Sequence, residues 1–109
     1  MSKFSRDKGK RGELKVCNIL RPTFPNVGRH LEFQADEAAL GKDLKNTDNL
    51  DIQVKNYAKH VSVSKLKEVN GTGIPILWSM ANREKDIIVL YADDFLKIIN
   101  DIGVVYNKD

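Results

Sequence analysis

The chain has 109 residues, 41% of them hydrophobic and 30% charged, with 18 Lys and Arg against 15 Asp and Glu, which describes one small domain of ordinary soluble composition. No apolar run reaches the ~20 residues of a membrane span, and the opening Met1-Ser2-Lys3-Phe4-Ser5-Arg6 has no apolar segment of a secretion signal. A single cysteine, Cys17, excludes an internal disulfide framework and, with only two histidines, makes a structural zinc site a poor fit, so a reducing, cytoplasmic setting is expected.

The chain opens basic: Lys3, Arg6, Lys8, Lys10, Arg11 and Lys15 stand against Asp7 and Glu13. Clustered cations suit a polyanion through phosphate neutralisation; the alternative is a solvated basic surface. Residues 1–7 are expected as a flexible basic arm, followed by a helix over about 8–20 that stops before Pro22 and Pro25. Its apolar stripe holds Leu14, Val16, Cys17 and Leu20, and Glu13 shares the face of the last three. A carboxylate there needs a partner or a metal; at the helix margin, beside Lys10, it reaches water instead.

Residues 28–33 read as a first strand and 34–41 as a polar loop with a helical turn. Residues 42–45 are short and strand-like, and Asn46-Thr47-Asp48-Asn49 should close a hairpin into a strand over 50–57. Ser62 or Ser64 caps a short helix carrying Leu66 and Val69, ended by Gly71-Thr72-Gly73. Residues 74–80 and 86–91 read as buried strands. Asp93 opens a last helix with Phe95, Ile98, Ile99 and Ile102 on one face, ended by Gly103. The order helix, three strands, helix, two strands, helix predicts an α/β fold, a mixed sheet with helices packed on it.

Asp51-Ile52-Gln53-Val54-Lys55 is the stretch that carries chemistry. Side chains alternate along a strand, so Ile52 and Val54 seek a core while Asp51, Gln53 and Lys55 line the other face. With Asp43 upstream, oxygen ligands and a lysine converge. That is the arrangement metal-dependent phosphodiester cleavage requires: oxygens hold a divalent cation, and an ammonium activates water or stabilises developing charge. A second basic set, Lys55, Lys59, Lys65 and Lys67, follows.

Other candidates have plainer readings. His30 and His60 lack a carboxylate pattern and suit the surface or a phosphate contact. Cys17 and Trp78 suit packing. Tyr57 sits at a strand end, and Ser62 and Ser64 suit capping. Asp48 suits the turn.

Taken together, these residues resemble the PD-(D/E)xK nuclease superfamily, and within it the small Holliday junction resolvases of archaea and phages. Lys8-Gly9-Lys10-Arg11-Gly12-Glu13 resembles the N-terminal glycine-and-glutamate helix, Gly41-Lys42-Asp43-Leu44 the metal-binding Asp segment, and Asp51-Ile52-Gln53-Val54-Lys55 the acid-x-lysine strand. Gly73-Ile74-Pro75-Ile76-Leu77 resembles the strand after the second helix. The resemblance implies a restriction-endonuclease-like core with a mixed five-stranded sheet flanked by helices. It further implies metal-dependent cleavage of four-way or branched DNA by a homodimer. Glu13, Asp43 and Gln53 would hold Mg2+, with Mn2+ able to substitute, and Lys55 would orient or activate water. Lys3, Arg6, Lys8, Lys10, Arg11 and Lys59 would bind DNA.

The departure is Gln53, where the family carries Glu or Asp. An amide oxygen still ligates a cation but supplies no charge. Asp51, about 6–7 Å away along the strand, is the candidate to add charge at the rim. Gln also stands at this position in some restriction nucleases of the superfamily, so a restriction- or repair-type enzyme on duplex DNA is one alternative. A non-catalytic DNA-binding module is another.

Overall fold

The computed structural model describes residues 3–29 and 43–101, with side chains of the first helix from Asp7 onward. In chain order it contains α1 (Lys3–Leu20), β1 (Gly28–Arg29), β2 (Leu44–Lys45), β3 (Leu50–Tyr57), a 3-10 helix (Val63–Glu68), β4 (Ile74–Ala81), β5 (Ile87–Val89) and α2 (Ala92–Asp101). The fold is α/β, as expected. His30, the loop at 34–41, Ile102 and Gly103 lie outside the described residues.

The described strands form two sheets where one five-stranded sheet was expected. β3, β4 and β5 make one; β1 and β2 make a two-stranded antiparallel pair. β3 and β4 run parallel, from Leu50 opposite Ile74 to Tyr57 opposite Ala81, and β5 returns antiparallel to β4. The expected turn forms, with the Leu50 N–H donating to the Thr47 carbonyl at 3.0 Å, but β2 and β3 are not laddered as a hairpin. Asn46 (φ 62°) and Asp48 (φ 52°) are left-handed, a geometry their short polar side chains tolerate, and the chain turns so that β2 ladders with β1. What meets the edge of β3 is Asp43. Its N–H donates to the Ile52 carbonyl at 2.8 Å, and its Oδ2 accepts the Val54 N–H at 2.6 Å. A carboxylate stands where a ladder carbonyl would.

A parallel pair needs a long crossover. Here residues 58–73 supply it, built around the 3-10 helix; Ser62 caps that helix by accepting the Ser64 N–H, as its sequence suggested. The crossover closes on Asp51. This residue is 3% exposed, and its Oδ2 accepts the Gly73 N–H at 2.7 Å. A Cβ on Gly71 would overlap that carboxylate.

α1 starts at Lys3, not near Lys8, so residues 3–7 of the expected arm are helical. Val16 and Cys17 are buried and pack with Ile52, Val54, Ile76, Met80, Val27 and Leu44; Trp78 lies against this cluster. Leu14 leaves the expected stripe and is exposed. Helix and sheet approach closely at Gly12, where a Cβ would sit 2.8 Å from Asn56 Cβ. Asn56 Nδ2 donates to the Lys8 carbonyl at 2.9 Å beside it. Gly→Ala inside a helix ordinarily stabilises by about 1 kcal/mol. Gly12→Ala is expected to do the reverse, costing about 1–3 kcal/mol by forcing α1 off β3. Chemical denaturation checks this, and a gain in stability would contradict the close approach.

The C-terminal part departs most from expectation. The strand expected over 86–91 shortens to Ile87–Val89, and Ile87 and Ile88 are exposed. α2 begins as expected, with Asp93 and Asp94 in its first turn, yet none of its residues is buried among the described residues. Among the described strands β5 lies at the edge of its sheet, so its side chains lack a neighbouring described strand on one side.

Candidate functional site

β3 positions the site by its alternation. Ile52 and Val54 turn toward α1 and the core; Gln53 and Lys55 take the opposite face, in register with Leu77 and Ser79 of β4. Asp43 holds backbone groups on both sides of Gln53, the carbonyl of Ile52 and the N–H of Val54. Asp43 and Gln53 are thereby fixed as neighbours although ten positions separate them in sequence.

Gln53 Oε1 is buried and has no hydrogen-bond partner among the described residues. Buried side-chain oxygens are normally satisfied by a protein donor, an ordered water or a cation, so this acceptor has room for one of the three. Asp43 is strained electrostatically. Burial, first of all, pushes its carboxyl up to about 6; the Val54 N–H pulls it down, Glu13 pushes it up, and Lys55 and Arg29 pull it down again. Glu13, Arg29 and Lys55 therefore all act on Asp43. Glu13 itself is half-buried, and its Oε1 accepts from Arg29 Nε at 2.6 Å.

The structure thus gathers Glu13, Asp43 and Lys55 into one electrostatic neighbourhood, and Asp43 brackets the backbone of Gln53. It also brings in Arg29, which the sequence reading missed. The signal was present: a carboxylate on the apolar face of α1 requires a partner. Lys55 forms no ion pair with another described residue. No three of His, Cys, Asp and Glu come together among the described residues.

Other candidates take different roles. Asp51 commits an oxygen to the Gly73 N–H and holds the crossover loop, so it does not serve as a free charge at the rim. His60 is neither free on the surface nor open to a phosphate through both nitrogens. Its Nε2 donates to the Lys85 carbonyl at 3.1 Å, and its Nδ1 shares a 2.8 Å hydrogen bond with the buried Ser79 hydroxyl. Burial pushes the Cys17 thiol up, which fits a packing residue and not a nucleophile. Lys10, Arg11, Lys59 and Tyr57 are exposed; Lys8 reaches Asn82 Oδ1 at 3.3 Å. The side chains of Lys3 and Arg6 lie outside the described set. An open hollow of about 650 Å³, lined by Thr23, Phe24, Pro25, Asn26, Asn46 and Asp48, contains none of the site groups.

No family model, curated protein or solved structure matches this chain. No helix among the described residues is long and apolar enough to cross a membrane.

Proposed function

We propose that this chain is a metal-dependent, structure-specific endodeoxyribonuclease that cleaves four-way or branched DNA, acting as a homodimer in the cytoplasm. The observation that carries the reading is the buried Gln53 Oε1, without a hydrogen-bond partner among the described residues, on the strand residue whose flanking backbone Asp43 holds, with Glu13 and Lys55 acting on the Asp43 carboxyl. A restriction-endonuclease-like core is part of the same proposal. The donor chemistry fits a hard divalent cation: two carboxylates and an amide oxygen, with neither sulfur nor imidazole among them. Glu13, Asp43 and Gln53 would hold Mg2+, or Mn2+ in its place. When bound, such an ion polarises a phosphoryl oxygen and lowers the pKa of water.

The chain's own residues do the rest. Lys55, one strand repeat from Gln53 on the same face, places an ammonium where charge develops on the phosphate or where the attacking water must be held. Arg29 fixes the Glu13 carboxylate through a charge-assisted hydrogen bond at 2.6 Å. Asp43, tied at backbone and side chain, cannot swing away from Gln53. The exposed cations of α1 grip phosphates without reading bases, which suits recognition of junction shape. Two protomers supply one site for each of two strands.

The experiment is incubation with a labelled four-way junction and a matched duplex, in magnesium and in chelator. Paired, magnesium-dependent incisions in the junction alone, lost in Lys55→Ala, are the expected result. Cutting of both substrates would favour a restriction- or repair-type enzyme. A second reading rests on the Glu13–Arg29 pair: the guanidinium takes the place of the cation, and the domain binds DNA without cutting it. Binding without incision in magnesium and in manganese would establish that reading.

A further inference from the structure

Three segments far apart in sequence meet where the parallel strands end. β3 and β4 finish together, with Tyr57 opposite Ala81. Just beyond them the Asn82 N–H donates to the Ala58 carbonyl at 3.1 Å. The Asn82 side chain accepts from Lys8 Nζ at 3.3 Å, which brings in α1. His60 then closes the far side of the turn through the Lys85 carbonyl at 3.1 Å, with Ser79 behind it at 2.8 Å. Asn56 ties α1 down from below through the Lys8 carbonyl. The β4–β5 turn is therefore laced to both neighbouring segments, and its position is set by hydrogen bonds at each end.

Lys8, Lys59, Arg83 and Lys85 lie on these three segments, and all but the half-buried Lys8 are exposed. Ser79, against which His60 rests, is the register partner of Lys55, so the turn borders the strand that carries the candidate lysine. Acids are present too: Asp7, Glu84 and Asp86 are exposed, and Asp86 is engaged by Trp78 Nε1 at 2.9 Å. Arg83 is the telling residue. It stands at φ 60°, third in a turn whose Glu84 N–H reaches back to the Ala81 carbonyl at 3.3 Å. Glycine sits there without strain; arginine does not. A cation held in that conformation at a turn tip, beside two further lysine-bearing segments, presents its exposed side chain where an anion could meet it.

We infer that the β4–β5 turn, through Arg83 and Lys85 together with Lys8 and Lys59, is a docking platform for the phosphodiester backbone of a DNA arm, seated beside Lys55. This deepens the nuclease proposal and rests on its choice of substrate. The platform needs no metal, so it is testable apart from cutting.

The test is binding of a fluorescent four-way junction in chelator, followed across a range of salt. Arg83→Ala with Lys85→Ala should weaken binding about tenfold and reduce the salt slope by about two. Lys65→Ala with Lys97→Ala removes the same charge from the 3-10 helix and α2 and should change affinity less than about threefold. Arg83→Gly keeps the turn unstrained, so it should melt no lower than wild type and still lose affinity. Equal weakening by the two double variants, wild-type affinity in Arg83→Gly, or no binding by the wild-type protein would each overturn the inference. Cutting that persists while the turn variants bind normally would remove this inference alone. Binding through the turn by a protein that never cuts would remove the nuclease reading and leave the platform.

Discussion

Asp43→Asn is expected to make the protein more stable and, in the same molecule, unable to cut DNA. The stability half follows from linkage. The Asp43 carboxyl is raised from 3.8 to about 6, mainly by burial, with Glu13 adding to the rise. The folded state therefore binds the proton more tightly than the unfolded chain. Between these two values the native state carries more protons, so stability falls as pH rises from about 4 through 6, then levels. Above that window the ionised group costs the fold about 2–3 kcal/mol, from roughly 1.4 kcal/mol per unit of pKa. Asn removes the charge and keeps an oxygen for the Val54 N–H. In chelator at pH 7.5 the variant should gain most of that amount, about 10 °C in melting temperature for a domain of this size. At pH 4.5 the gain should shrink, because the wild-type carboxyl is then largely protonated. Denaturation at the two pH values decides the matter. A loss of stability at pH 7.5 would mean that Arg29 and Lys55 already compensate Asp43, and that no further cation is called for. Junction binding in chelator should remain, since phosphates meet the exposed cations and not this buried acid.

Such a site is a local conflict between folding and function. A carboxyl that destabilises its own fold at neutral pH and an amide oxygen without a donor among the described residues are both unfavourable for folding. Proteins keep such conflicts where chemistry requires them. Next to it, Glu13 is compensated by Arg29, so the neighbourhood is only partly resolved. Glu13 is the member whose role depends on whether a cation displaces the guanidinium.

What was legible in the sequence was local. The alternation over Asp51–Lys55 assigned β3 and separated its two faces. A capping serine, Ser62 or Ser64, was legible and proves to be Ser62, and Asn46-Thr47-Asp48-Asn49 announced a turn, in which Asn46 and Asp48 take left-handed backbone. What escaped was pairing across distance. β1 and β2 are two residues each, too short for any periodicity to name their partner. Arg29 beside Glu13, His60 between Ser79 and Lys85, and Asn82 between Lys8 and Ala58 all join residues whose spacing carries no signal. Asp51 misled because its face was right and its partner unforeseen: alternation places it beside Gln53, but a glycine-rich crossover comes over it and takes its oxygen. Apolar runs misled in a different way. The composition of 86–91 says buried strand, whereas a sheet edge leaves Ile87 and Ile88 in the open.

Gln53→Glu separates the two readings of the site most sharply, because its effect should change sign with the metal. The substitution adds a third carboxylate on the residue whose flanking backbone Asp43 holds, at an oxygen that is buried and has no donor among the described residues. In chelator, burying that charge should cost on the order of 3 kcal/mol and push Asp43 higher still. With magnesium the same charge becomes an anionic ligand. Affinity for the ion should rise, and an ion present at about 100 times its Kd returns about 2.7 kcal/mol. Thermal melts with and without magnesium should therefore show a larger metal-dependent shift in Gln53→Glu than in wild type, and none in Asp43→Asn. Cutting of the junction should survive in Gln53→Glu. The guanidinium reading makes the opposite forecast. If Arg29 already occupies the place of the cation, the new carboxylate gains nothing from magnesium, and its destabilisation is relieved only by acid, as the carboxyls take up protons. Recovery on lowering the pH, with no response to magnesium or manganese, would leave Glu13–Arg29 as the finished centre of a DNA-binding domain.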